Sequence, residues 1–379
     1  MADVRPFPAL HYAGGQGGQR SLGRLVCPPY DVLSERQVQA LKAADPHCAV
    51  HLTRPGTDYA GAARLLERWI AEGVLVQERR PVMYLHQTDV GTARRQDLVA
   101  VLRIEPYGGA VVPHERTHAG PKEDRLALLR ATRTSLEPLW FLVEGLRDQL
   151  GDAPRAGGDV TFDFEGEQHV LRKIDDGVWH ARLHAFLEGR PVLIADGHHR
   201  YETALAYAQE RGGPADAASR FTLALFTDLR DPGLQVAATH RVLRGGVPVT
   251  GGEPAASLEE VRRRIEGEVA AGYYRDGRYQ VLPLEGSVAA LELHRQVIDN
   301  LLGRRDPEQH LTYTRDAEEA LRSVDCGEGD AAFFLGPPDL AAVLAAAREG
   351  ITMPQKTTYF EPKPPTGIAF HRLSAGPLL

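Results

Sequence analysis

The stretch "PVLIADGHHRYETALAYAQERGG", residues 191–213, contains the change from strand to helix that decides the fold class. Its first residues, "PVLIA", form a short apolar run that is typical of a buried strand. Asp196 and Gly197 then predict a turn, because glycine readily adopts the positive φ values that tight turns use. The residues that follow are typical of a helix ending near Gly212. A buried strand that leads directly into a helix predicts an α/β or α+β protein.

The remaining chain also mixes strand and helix patterns. "PVMYLHQTDV" and "RQDLVAVLRIEPY" predict strands, and "TFDFEGEQHVLRKIDDG" predicts a hairpin. "DYAGAARLLERWIAEGVL" predicts an amphipathic helix that stops at Gly73, and Ser34 with Gln37 has capping-box spacing. "VAALEL", residues 288–293, predicts a strand fragment. The Gly- and Pro-rich stretch from residue 244 predicts a boundary between a main domain, residues 1–245, and a C-terminal region, residues 246–379.

The composition excludes several classes of protein. With 379 residues, 43% hydrophobic and 25% charged, the chain has an ordinary globular composition. A net charge of -7 argues against a nucleic-acid or membrane partner. The three cysteines have no CxxC spacing, which predicts a reducing, cytoplasmic location and argues against a thiolate zinc site. The oligomeric state is left open.

The "DGHHR" segment, residues 196–200, allows three interpretations. As a phosphate or nucleotide site, Asp196 caps the helix, Gly197 allows close backbone approach, and His198, His199 and Arg200 add donors at a helix N-terminus. As a purely structural feature, it is a capped helix with solvated histidines. A zinc site is disfavoured, because adjacent helical side chains point about 100° apart. We prefer phosphate binding and assign no metal ligands.

Two further segments carry candidate residues. "HERTH", residues 114–118, matches the HExxH pattern, but the flanking Pro113 and Ala-Gly-Pro leave too little helix for a metalloprotease. What remains is either a functional or a solvated polar loop with His114, Glu115, Lys122 and Arg125. "MPQKTTYFEPKPPTG", residues 353–367, contains two of the chain's five lysines and either brings Lys356 to a phosphate or acts as a structural strap.

Six motifs together resemble the domain-of-unknown-function 1015 family nearly end to end. In chain order they are "RPFPAL", "CPPYDVLS", "VVPHERTHAGPKEDRLALL", "LIADGHHRYETALAY", "THRVL" and "MPQKTTYFEPKPPTG". The "DGHHRYE" segment is also similar to the ParB/sulfiredoxin-like fold, whose members hold nucleotide phosphates at such a turn, and to the free-serine kinases. The resemblance implies a ParB/sulfiredoxin-like core with large additions and a smaller C-terminal α/β region.

The same resemblance implies a phosphoryl-transfer enzyme that acts on a small hydroxyl or phosphate metabolite, foremost serine or phosphoserine, with ATP or ADP and Mg²⁺. It implies catalytic roles for Glu115 as base and Asp196 as a group that orients the hydroxyl or holds Mg²⁺, with His114 and His198 beside them. The implied nucleotide-binding residues are Gly197, His199, Arg200, Lys122, Arg125 and Lys356. The alternative is a non-catalytic nucleotide-binding regulator of the ParB-like class.

Overall fold

The computed structural model divides the chain into two units. It describes residues 2–14, 21–115, 120–155, 158–246, 248–303, 305–374 and 376–378. The first unit comprises Met1–Val112, His118–Leu234 and Pro362–Leu379, and the second comprises Pro113–Thr117 and Gln235–Glu361. The division therefore falls at Leu234 rather than at residue 245, and the C-terminal tail belongs to the first unit. The Gly- and Pro-rich stretch from residue 244 lies inside the second unit and includes the strand Glu253–Ala255.

The first unit contains both strands and helices. Its strands are Val4–Arg5 (β1), Leu10–Tyr12 (β2), Leu75–Gln77 (β3), Met83–Val90 (β4), Ala93–Arg103 (β5), Val111–Val112 (β6), Thr134–Ser135 (β7), Leu139–Val143 (β8), Val160–Phe164 (β9), Glu167–Ile174 (β10), Val192–Asp196 (β11) and Phe221–Asp228 (β12). Its helices are Glu35–Ala44 (α1), Val50–Thr53 (α2), Tyr59–Ala71 (α3), Gly120–Thr132 (α4), Leu146–Leu150 (α5), Gly177–Leu187 (α6) and His198–Arg211 (α7).

A mixed sheet forms the centre of this unit. Within the described residues its order is β6-β11-β8-β12-β5-β4-β10-β9. Outside this order, β1 pairs with Val101 and Leu102 of β5. The pairs β6–β11 and β8–β12 are parallel and the other pairs are antiparallel. Every residue of β12 is buried, as expected for a central strand covered on both faces. The core includes Phe141, Phe226 and Ile194 from the sheet and Leu183 from α6.

The described residues of the second unit form a six-stranded antiparallel sheet with helices on both faces and a separate two-stranded antiparallel sheet. Its strands are Gln235–Ala237 (β13), His240–Leu243 (β14), Glu253–Ala255 (β15), Ala270–Arg275 (β16), Arg278–Pro283 (β17), Leu311–Thr314 (β18), Ala331–Phe334 (β19) and Tyr359–Glu361 (β20). Its helices are Leu258–Ile265 (α8), Ala289–Leu293 (α9), Asp299–Leu302 (α10), Pro307–His310 (α11), Ala317–Asp325 (α12) and Leu340–Arg348 (α13). The last strand of the chain, His371–Arg372 (β21), belongs to the first unit, where it pairs with β7.

The strand period explains the two cores of the second unit. The described strands of its larger sheet run in the order β15-β17-β16-β19-β14-β18. Successive strand residues point to opposite faces, so Phe333 and Phe334 of β19 enter different cores. Phe333 packs with residues such as Leu293 of α9, and Phe334 packs with residues such as Val261 of α8.

Several sequence predictions can be compared with these elements. The mixed α/β class is confirmed, as are the hairpin β9–β10 and the capping box of α1 at Ser34. The strand predicted for "VAALEL" is wrong, since Ala289–Leu293 is helical and buries Leu291 and Leu293. A short apolar run fits a buried helix as well as a strand, and periodicity alone does not separate them. Among the described residues, no helix is long and apolar enough to cross a membrane.

Candidate functional site

The turn between β11 and α7 forms the centre of the candidate site. β11 ends at Asp196, and Gly197 follows with φ 95° and ψ 31°, the left-handed conformation that glycine adopts without strain. α7 then begins at His198 and continues for 14 residues. A Cβ on residue 197 would lie 2.7 Å from Leu139 Cδ2 and 3.1 Å from Arg200 Nε. The turn therefore requires glycine for both its backbone conformation and its surroundings.

The predicted capping role of Asp196 is wrong. The N-cap residue of α7 is Gly197, and α7 has no side-chain cap hydrogen bond. The carboxylate of Asp196 instead accepts hydrogen bonds from two cations: Arg200, one turn along α7, and Lys363, in the tail segment of the first unit. Both cationic side chains are about nine-tenths buried.

Arg200 connects the turn to a second buried carboxyl group. Its Nη1 donates to the carbonyl of Pro138 at 2.9 Å. Burial disfavours the charge of Arg200, but Glu137 and Asp196 more than offset this effect and hold the pKa of Arg200 above its usual value. Burial raises the pKa of Glu137, although Arg200 and Arg125 oppose that shift. The guanidinium therefore stays charged, while burial favours the protonated form of Glu137.

Arg125 of α4 is held by aromatic and acidic neighbours. Its guanidinium lies 4.2 Å from the centre of the Tyr30 ring, a cation–π distance, and its Nη1 donates to the carbonyl of Thr53 at 2.8 Å. Its Nε donates to Asp124 at 2.7 Å. Lys122, at the start of α4, forms an ion pair with Glu202 of α7. Both predicted phosphate ligands on α4 thus already pair with carboxylates of the first unit.

The two histidines of the motif differ in exposure. His198 is 8% exposed and therefore buried, whereas His199 is half-buried. The carbonyl of His199 accepts a hydrogen bond from Thr203 Oγ1 at 2.8 Å, which is an ordinary contact inside a helix. His198 is consequently part of the packed start of α7, and His199 is the more accessible imidazole.

A buried group of residues beyond the motif holds the tail in place. The guanidinium carbon of Arg95 lies 5.0 Å from the centre of the Trp140 ring in β8, and the ammonium nitrogen of Lys363 lies 5.8 Å from the same ring centre. Arg95 is fully buried, donates to Asp97 at 3.1 Å, and also donates to the carbonyl of Pro362. Arg95 therefore fixes the backbone immediately before Lys363, the residue that reaches Asp196.

The second unit contains the other predicted site residues, and they cluster around the 356–358 backbone. The carboxylate of Glu115 accepts from the amides of Lys356 at 3.2 Å and Thr358 at 3.1 Å. The Nε2 atom of His114 lies 2.7 Å from Thr358 Oγ1. The carbonyl of Lys356 accepts from Arg241 Nη2 at 3.1 Å, and Lys356 has φ 57°. His118, the second histidine of the HExxH match, lies outside the described residues.

The site residues are thus divided between the units. The first unit holds Asp196, Gly197, His198, His199, Arg200, Lys122 and Arg125, and the second holds His114, Glu115 and Lys356. Sequence reasoning missed Glu137, Lys363, Trp140 and Arg95. The scarcity of lysine in the sequence drew attention to the tail motif, residues 353–367. It did not indicate which of Lys356 and Lys363 belongs to the site. Among the described residues, no group of three or more His, Cys, Asp or Glu side chains could hold a metal ion.

Comparison with known proteins identifies the family. A family model described as "Protein of unknown function (DUF1015)" matches residues 4–312, well over half of the sequence, and the chain belongs to this family. This confirms the family resemblance, and the motif at residues 353–367 lies beyond the matched range. No curated protein matches the chain.

Several solved structures are similar at low identity. A conserved hypothetical protein from Pyrococcus furiosus is 17% identical, with a TM-score of 0.39, over 69% of this chain and 90% of that protein. A free serine kinase in complex with AMP is 17% identical, with a TM-score of 0.38, over 66% of this chain and 83% of the kinase. SbnI from Staphylococcus aureus, truncated at its C-terminus, is 12% identical, with a TM-score of 0.36, over 69% of this chain and 82% of that protein. Similarity at this level does not assign an activity to this chain.

Proposed function

We propose that this member of the DUF1015 family is a phosphoryl-transfer enzyme that acts on a small hydroxyl or phosphate metabolite. The observation that carries the proposal is the turn at Gly197, where two buried cations, Arg200 and Lys363, meet on Asp196 at the start of a 14-residue helix. Phosphoryl transfer requires such concentrated positive charge around a phosphate, and it requires little covalent chemistry from the protein.

The start of α7 has the properties of an anion site. The first-turn N–H groups of a helix have no partner within the helix and carry a partial positive charge. The N-cap residue of α7 is Gly197, and the side chains of Leu139 and Arg200 lie beside it. His199 and Arg200 add donors at the same end. This arrangement supports phosphate binding over the alternative of a capped helix with solvated histidines.

These residues fit a nucleotide phosphate better than they fit a bound Mg²⁺. ATP or ADP would supply or receive the phosphoryl group, with the α7 amides, His198, His199 and Arg200 as its phosphate ligands. Both carboxylate oxygens of Asp196 already bind cations. We therefore assign Asp196 the role of positioning Arg200 and Lys363, and we do not assign it as a Mg²⁺ ligand.

The roles of the remaining candidates follow from their partners. Lys122 and Arg125 would add positive charge only after exchanging Glu202 or Asp124 for phosphate. Glu115 and His114 stay the candidate base and its neighbour in the second unit, where Glu115 also holds the backbone at Lys356 and Thr358. The free thiols of Cys27, Cys48 and Cys326 support a cytoplasmic location.

Nucleotide-dependent stabilisation and phosphoryl transfer test the proposal together. We expect ATP or ADP to raise the melting temperature, because a ligand that binds only the folded state stabilises it by mass action. We also expect radiolabelled phosphate to pass from ATP to a hydroxyl acceptor, with serine as the first acceptor to test and phosphoserine as the first donor in reverse. Each measurement is made with and without Mg²⁺.

Two charge-site variants have matched controls. Arg200→Lys and Lys363→Met should lose most of the nucleotide-dependent shift, while Arg130→Lys and Lys173→Met, which alter exposed ion pairs of the same unit, should keep it. The proposed site is wrong if all four variants respond like the wild type. Binding without transfer to any hydroxyl acceptor would instead favour a non-catalytic nucleotide-binding regulator.

A further inference from the structure

The first unit contains a cavity of about 280 Å³ beside the β4–β10 part of its large sheet. Tyr84 of β4 and Lys173 of β10 are opposite each other in neighbouring strands, so their side chains lie on one face of the sheet, together with Leu171. These three residues line the cavity, as do Tyr12 of β2 and Ile368 near the C-terminus. None of the described wall residues belongs to the phosphate site at the start of α7.

The volume of the cavity restricts the size of its ligand. An engineered apolar cavity of about 150 Å³ holds benzene, and most small-molecule sites measure about 300–1,000 Å³. A cavity of 280 Å³ therefore accommodates one aromatic ring with a small substituent. A nucleotide is larger than this, so we expect a different class of ligand here.

The two tyrosines among the described wall residues differ in their hydrogen bonds. Tyr12 donates to the carbonyl of His47 at 2.7 Å. Tyr84 is 4% exposed, and its hydroxyl has no hydrogen-bond partner in the described part of the chain. Burial raises the pKa of Tyr84, so its phenol stays protonated. Buried polar groups are normally hydrogen-bonded, and the Tyr84 hydroxyl therefore favours a ligand with an oxygen acceptor.

The charged side chains of the wall pair with one another. The Oε1 atom of Glu78 lies 2.9 Å from Lys173 Nζ and 3.0 Å from His11 Nε2. All three side chains are more exposed than Tyr84, so they lie on the solvent side of the cavity. Because this carboxylate already has its partners, the described wall favours an uncharged ligand.

We propose that this cavity binds a small uncharged aromatic compound that carries one oxygen acceptor, as an aryl ketone does. Its ring packs against apolar side chains such as Leu171 and Ile368, and its oxygen accepts a hydrogen bond from the Tyr84 hydroxyl. The rings of Tyr12 and Tyr84 favour an aromatic ligand, because aromatic rings attract one another in offset and edge-to-face arrangements. The assignment goes beyond the proposed function and does not rest on it.

Three probes of nearly equal size and shape test the proposal in titrations without nucleotide, measured by ligand-observed NMR. Acetophenone has the aromatic ring and the carbonyl oxygen, α-methylstyrene has a CH₂ group in place of that oxygen, and benzoate carries a negative charge. We expect acetophenone to bind and benzoate to bind more weakly. The proposal is wrong if acetophenone does not bind, or if benzoate binds as tightly as acetophenone or more tightly.

Replacing Tyr84 with phenylalanine tests the hydrogen bond. The change removes only an unpartnered hydroxyl, so the protein should fold normally. The affinity for acetophenone should fall about fivefold, the usual size of one lost neutral hydrogen bond, and the affinity for α-methylstyrene should not fall. Tyr207→Phe removes another buried unpartnered hydroxyl that is not on this wall, and it should bind both probes like the wild type. An unchanged affinity for acetophenone in Tyr84→Phe, or an equal loss for both probes, would show that Tyr84 is not the donor.

Replacing Val160 with phenylalanine tests the location. Val160 of β9 is half-buried, lines the cavity and lies opposite Leu171, and β9 is an end strand of the described sheet. A phenylalanine is readily accepted in a strand, and here its ring would fill part of the cavity. We expect Val160→Phe to abolish binding of both uncharged probes. Thr161→Phe is the control, because residue 161 is exposed and points to the opposite face, and it should keep binding. Equal binding by the two variants would contradict the assigned site.

Discussion

Replacing Lys363 with methionine tests whether the tail lysine is an energetic partner of Asp196. The two side chains are only 9% and 14% exposed, so their ion pair is largely shielded from solvent. Removing one partner of a buried pair costs about 3–5 kcal/mol when the other charge is left uncompensated. Arg200 still binds Asp196 in the variant, so we expect about half of that cost, or about 2 kcal/mol. Methionine keeps apolar contact with Trp140 but loses the cation–π interaction, worth about 0.5–1 kcal/mol.

Urea unfolding followed by tryptophan fluorescence measures this loss. The three tryptophans, Trp69, Trp140 and Trp179, all belong to the first unit, so the signal reports the unit that contains the ion pair. A double-mutant cycle with Asp196→Asn isolates the pairwise energy, and we expect a coupling of about 2 kcal/mol.

The pair Lys173–Glu78 is the control for this cycle. Its lysine side chain is 48% exposed, and exposed pairs contribute at most about 1 kcal/mol. If the coupling between Lys363 and Asp196 is no larger than that between Lys173 and Glu78, the buried pair does not stabilise the site as we reason.

Three further predictions follow from local geometry. Gly197→Ala should destabilise the first unit by about 1–3 kcal/mol more than Gly166→Ala in urea unfolding, because both have positive φ but only residue 197 meets close neighbours. Burial lowers the pKa of His371 to about 4, so the folded protein holds this imidazole in its neutral form. The folded state therefore keeps its full stability above pH 6.5 and loses stability as the pH falls towards 4, because the unfolded chain binds the proton first. His371→Gln should therefore flatten the loss of stability between pH 6.5 and 4 by up to about 1.4 kcal/mol per pH unit, and an unchanged slope would contradict this assignment. Ser34→Ala should cost about 1 kcal/mol by removing the α1 capping box, which thermal unfolding would detect.

Local sequence features were sufficient for much of the secondary structure. The glycine at 197, the apolar run before it and the helical spacing after it act within a few residues, so their structural consequences are readable from the chain. The errors came where two local interpretations were equally good. The run 288–293 fits a strand or a helix, and Asp196 fits a cap or an ion pair. In each case the choice depends on neighbours that are distant in sequence.

The sequence by itself determined the mixed α/β class, the strand–turn–helix at "DGHHR" and the family, because each depends on short-range patterns. Only the tertiary structure decided that Lys363 is the lysine on Asp196, since 167 residues separate the two and no local pattern distinguishes it from Lys356. Burial and ion pairing depend on which segments pack together, and packing is set by the whole chain rather than by any one motif.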